Sequence, residues 1–65
     1  MTQPDIDPED LITPYEAGRL LALQITSVRL LAENGRVRCT RTLGGHRRYF
    51  RSDIHRELER RAAER

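Results

Sequence analysis

The sequence predicts a mainly α fold with a small β-hairpin, and three observations carry that prediction. A helix-start signature, Thr13-Pro14-Tyr15-Glu16, precedes apolar residues at helical spacing. Gly44-Gly45 sits between two short runs of strand character, and Ile54, Leu58 and Ala62 recur every fourth residue near the C-terminal end. In chain order this reads helix, turn, helix, two-stranded wing, helix, the arrangement of a winged helix-turn-helix.

Residues 1–10 hold Pro4 and Pro8 among acids, with too little apolar surface to offset the entropy of ordering, and read as a mobile acidic arm. Residues 11–65 form the one domain that a 65-residue chain allows. Thr13 is an N-cap, Pro14 suits the first helical position and Glu16 completes a capping box, so a helix starts there and buries Ala17, Leu20 and Leu21. Residues 22–24 are the turn, and Val28, Leu31 and Ala32 give the second helix its apolar face. Asn34-Gly35 ends it, with Gly35 in the left-handed conformation. Residues 36–41 alternate as a half-buried strand, with Val37 and Cys39 towards the core and Arg38 and Thr40 outward. Residues 42–46 form the hairpin tip, and residues 47–50 return as the second strand. Ser52 is placed to cap the last helix, whose stripe of Ile54, Leu58 and Ala62 docks on the first two helices. Glu57 and Arg61 can pair across one turn, and the charges Arg56, Glu57, Glu59, Arg60 and Glu64 read as a solvated face that His55 decorates.

The net charge is only +2, but it is unevenly spread. Asp5, Asp7, Glu9, Asp10 and Glu16 precede the first base. From Arg19 to Arg51 the bases Arg19, Arg29, Arg36, Arg38, Arg41, Arg47, Arg48 and Arg51 are opposed only by Glu33. Such a block is the electrostatic footprint of a polyanion binder. Cys39 is the sole cysteine, which excludes an intrachain disulfide and suits a reducing, cytoplasmic setting. No apolar run approaches a membrane span, and the acidic start is unlike a signal peptide. Cys39, His46 and His55 lack the close paired spacing of a metal site. A core this small leaves no room for an enclosed catalytic pocket, so no enzyme activity, cofactor or metal is expected.

In a helix-turn-helix the start of the second helix meets base edges, while a wing reaches the backbone or the adjacent minor groove. That places Gln24, Thr26, Ser27 and Arg29 on a recognition helix, with Arg29 as the bidentate contact to guanine or phosphate. Arg41, His46, Arg47 and Arg48 flank the glycine tip of the wing. Leu30 is expected to be exposed.

These residues carry a resemblance. Leu11-Ile12-Thr13-Pro14-x-Glu16, Ser27-Val28-Arg29, Asn34-Gly35 and the run Arg41-Thr42-Leu43-Gly44-Gly45-His46-Arg47-Arg48-Tyr49 resemble the MerR-type DNA-binding domain, over about residues 11–58. Its stand-alone members include phage excisionases and BldC-like regulators of actinobacteria. The resemblance implies DNA contacts at Arg29, Arg41, His46, Arg47 and Tyr49. Leu30-Leu31 and Gln24-Ile25 depart from its pattern, which implies fewer base-reading groups, a weaker helix start and a larger share for phosphates and DNA shape. It also implies partners: double-stranded DNA, bound cooperatively beside neighbouring copies of the chain and bent, with a phage integrase completing the assembly. No coiled coil follows the last helix, so no small-molecule effector is expected. A BldC-like transcription regulator, and a protein-interaction module such as an antitoxin, are the alternatives.

Overall fold

Residues 10–64 are described by the computed structural model. Three helices and a three-stranded antiparallel sheet follow in the order β1 (Leu11–Ile12), α1 (Pro14–Leu21), α2 (Ile25–Glu33), β2 (Cys39–Arg41), β3 (Arg47–Phe50) and α3 (Arg51–Ala63). The expected acidic arm lies outside the described residues, save Asp10.

Helix α1 starts as its sequence dictates: the Thr13 Oγ1 accepts from the Glu16 N–H at 3.0 Å, with Pro14 at the first turn. It ends where Ala22 takes a left-handed conformation (φ 59°) and the Leu23 N–H donates to the Gly18 carbonyl at 2.9 Å. Gly18 permits that reversal, because a Cβ there would stand 2.8 Å from the Leu23 carbonyl oxygen. Helix α2 begins on backbone bonds to the Gln24 carbonyl alone, since Gln24 supplies no side-chain cap. It ends through Asn34 and Gly35, the latter at φ +77°.

The sheet has the order β1-β3-β2, so β3 is central. Ile12 and Cys39 flank Tyr49 on its two sides, Leu11 opposes Phe50, Thr40 opposes Arg48 and Arg41 opposes Arg47. The two-residue β1 was not foreseen. The core gathers Ile12, Ala17, Leu21, Val28, Leu31, Val37, Tyr49 and Ile54, with Leu20 and Ala32 only partly buried against it. Val28, Val37 and Ile54 are fully enclosed, each stabilising the fold by about 1.5–3 kcal/mol relative to exposure.

Several expectations are corrected. Cys39 is exposed although it shares the sheet face of Tyr49, because β2 is an edge strand of only three residues and begins where the core has ended at Val37. Ser52 is no cap: β3 runs into α3 without a loop, Phe50 occupies the cap position, and Ser52 falls inside the first turn. The buried face of α3 is Asp53, Ile54 and Glu57, while Leu58 and Ala62 are exposed. That face packs against α1 and β3. Glu57 is therefore not part of a solvated face.

Two buried carboxylates are tolerated because each is paired. Asp53, 4% exposed, accepts from the Arg38 backbone N–H (2.9 Å), Nε (2.9 Å) and Nη2 (3.0 Å). The same guanidinium lies 4.4 Å from the centroid of the Phe50 ring. The Arg38 hydrogen bond outweighs burial and holds the Asp53 carboxyl below the usual carboxylate range. Glu57 accepts from Arg60 Nη2 at 2.6 Å and, as expected, from Arg61 Nε at 3.0 Å. Arg36 Nε stands 3.9 Å from it. Together these pairs fasten the base of the β2–β3 hairpin to α3. Among the described residues no helix is long and apolar enough to cross a membrane.

Candidate nucleic-acid interface

The arginines divide into two sets according to what neutralises them. Arg36, Arg38, Arg56, Arg60 and Arg61 engage Asp53, Glu57 or Glu64 around α3, and Arg51 reaches Glu16 at 3.7 Å. Arg29 stands 3.8 Å from Glu33, with both side chains 55% exposed, a contact that water screens heavily. Arg41, Arg47 and Arg48 have no carboxylate within ion-pair distance among the described residues. Of the eight arginines from Arg19 to Arg51, Arg36, Arg38 and Arg51 are thus engaged internally, and the charge without an ion pair among the described residues lies on Arg41, Arg47 and Arg48 of the hairpin and on Arg19 of α1.

The register sharpens this. Arg41 and Arg47 are direct cross-strand partners, and strand alternation puts both on the face of the sheet that carries Tyr49. Like charges directly opposite one another destabilise a hairpin. Arg48, on the other face, donates from Nη1 to the Arg47 carbonyl at 2.8 Å. His46 is exposed beside the tip, where its N–H donates to Thr42 Oγ1 at 3.3 Å.

Helix α2 contributes from the adjoining side. Gln24, Thr26 and Arg29 are exposed and Ser27 is half-buried. Gln24 and Thr26, with Tyr15, Arg19 and Ile25, line an open groove at the α1–α2 turn. Burial pushes the Tyr49 phenol above its usual pKa, and the charges of Arg47 on β3 and Arg29 on α2 both oppose that rise.

Tyr49 itself is corrected. Its side chain is fully enclosed and its hydroxyl has no hydrogen-bond partner among the described residues, so it is the centre of the sheet's core rather than an accessible donor. Leu30 is exposed as expected. Sequence reasoning passed over Leu43, which is fully exposed at the hairpin tip; its signal was an apolar residue inside an otherwise polar turn. Among the described residues no cluster of three or more His, Cys, Asp or Glu side chains could hold a metal ion.

Comparison of the chain with protein families, with curated proteins and with solved structures finds no match.

Proposed function

We propose that this chain is a double-stranded DNA-binding module of winged helix-turn-helix type. On this reading α1, residues 22–24 and α2 act as the helix-turn-helix, and the β2–β3 hairpin acts as the wing. The observation that carries it is the Arg41–Arg47 pair: two like charges face each other across a three-residue ladder, and among the described residues no carboxylate relieves them. Folding alone disfavours that placement, and a polyanion reverses its sign.

Helix α2 has nine residues, and an α-helix with its side chains is about 10–12 Å across, a diameter suited to a major groove about 12 Å wide. Gln24, Thr26 and Arg29 would then meet base edges, with Arg29 able to exchange its weak contact with Glu33 for a bidentate guanine or phosphate contact. Arg41, His46, Arg47 and Arg48 would contact phosphates or the adjacent minor groove. An uncapped α2 and a strongly charged hairpin favour a protein that reads shape and backbone more than base sequence.

The biological role that fits such a module is that of a cytoplasmic excisionase. Neighbouring copies bind repeated sites cooperatively and bend a phage attachment site for its integrase. A mobility shift on an attachment-site fragment and on promoter DNA, with circularly permuted probes, tests this. Successive bands with a bend on the attachment site are expected. A shift confined to promoter DNA selects a BldC-like regulator, and no shift at low salt overturns the DNA-binding reading.

A further inference from the structure

We infer that Leu43 is an apolar wedge that enters the minor groove of duplex DNA and opens a base step, an inference that rests on the DNA-binding reading above. Singly exposed leucines are ordinary on protein surfaces. This one differs in its mounting and its surroundings. At 109% of the reference exposure, its side chain is packed on nothing.

The backbone that presents it is nonetheless tightly tied. The Gly45 N–H donates to the Thr42 carbonyl at 2.9 Å, the Thr42 N–H donates to the His46 carbonyl at 2.9 Å, and Gly45 holds φ +84°. Leu43 is therefore the outer corner of a closed four-residue turn rather than part of a loose loop. Gly44 keeps that turn thin: a Cβ there would come within 3.2 Å of His46 Cδ2, so the imidazole lies close against the turn. An apolar side chain held out on a narrow, pre-ordered tip needs little further ordering to insert.

The charge pattern selects the occupant. Arg41, His46 and Arg47 flank the apolar tip along the chain, and among the described residues no carboxylate pairs with the two arginines. The complementary surface is anionic at its rims and apolar within, as a minor groove is, with phosphates flanking stacked bases. An anionic lipid surface shares the charge, but one leucine buries too little to hold a membrane interface. Side chains that wedge a base step kink DNA by roughly 20–90°, which would supply the bend that the proposed role needs.

The test uses the full chain and a duplex of about 40 base pairs. The duplex carries 2-aminopurine at central TpA steps, which unstack readily, and a donor–acceptor pair at its ends, in about 50 mM salt. The wild type should raise 2-aminopurine emission by about threefold or more on binding, and shorten the end-to-end distance. Leu43→Ala should bind within about threefold of the wild-type affinity, melt at the same temperature, and lose both signals. Leu43→Phe should restore them. Retention of the emission rise by Leu43→Ala, or wild-type binding without any rise, overturns the wedge while leaving the DNA-binding reading intact. Failure of the wild type to bind the duplex removes both. Leu43-dependent binding to phosphatidylserine vesicles in place of DNA assigns the tip to lipid and also overturns the inference.

Discussion

Asp53→Ala tests whether the hairpin is fastened to α3 by one carboxylate. Asp53 accepts three hydrogen bonds from Arg38, one of them from its backbone N–H at 2.9 Å, in a site that leaves the carboxylate 4% exposed. Truncation removes the acceptor of a part-buried backbone donor, a loss of about 1–3 kcal/mol. The Arg38 side chain is 65% exposed, so its guanidinium returns to water and adds nothing to that range. For a domain of this size each kcal/mol moves the melting midpoint by roughly 4–8 °C, so a fall of about 10 °C is expected by circular dichroism. Asp53→Asn keeps one acceptor for the backbone N–H and should fall between the two. The pH dependence has a fixed sign. Because the folded carboxyl is depressed, chiefly by the Arg38 hydrogen bond, the unfolded chain takes up the proton at higher pH than the folded one. The contribution is complete above about pH 5 and is lost as pH falls through the folded value, so wild type and Asp53→Ala should converge in acid. A midpoint within about 2 °C of wild type at neutral pH would refute the reasoning.

Other perturbations isolate single features. Gly45→Ala places a side chain at φ +84° with nothing within 4 Å of the added Cβ; the expected loss of about 1 kcal/mol is purely conformational and is read from the same melts. Gly18→Ala drives a Cβ to 2.8 Å from the Leu23 carbonyl, so the α1–α2 connection must shift; denaturant titration should show a loss of about 1–3 kcal/mol. Tyr49→Phe removes a buried hydroxyl that has no hydrogen-bond partner among the described residues, so stability should hold or rise in denaturant titration and DNA affinity should stay within about threefold of wild type. A larger loss of affinity would return Tyr49 to the interface.

How much of this was legible in the sequence depended on how local its cause was. The Thr13 cap, the left-handed Gly35 and a hairpin turning at residues 42–46 follow from short-range chemistry and were readable, while the strand expected over residues 36–41 is confined to Cys39–Arg41. Strand β1 has two residues, too few to show a period, and exists only because β3 offers it an edge. The α3 face was misread for a related reason. Asp53 and Glu57 look like solvent-facing charges until Arg38 and Arg36, distant in sequence, are folded against them, and the apolar stripe then yields to the paired carboxylates. Those same ion pairs neutralise Arg36 and Arg38 within the basic block, which a count of charges along the chain does not reveal. Tyr49 and Cys39 are direct partners in register, yet one is enclosed and the other exposed, a difference set by sheet order rather than alternation.

The most direct test of the central claim is the salt dependence of binding to a mixed-sequence duplex, measured by fluorescence anisotropy for wild type and for the double variant Arg41→Ala, Arg47→Ala. Each phosphate contact contributes about −0.9 to the slope of log K against log salt, so the double variant should lose about two units of slope and bind more weakly on every sequence. Its melting temperature should hold or rise as the cross-strand repulsion is relieved. An unchanged slope, or a wild type that does not bind at about 50 mM salt, would contradict the account.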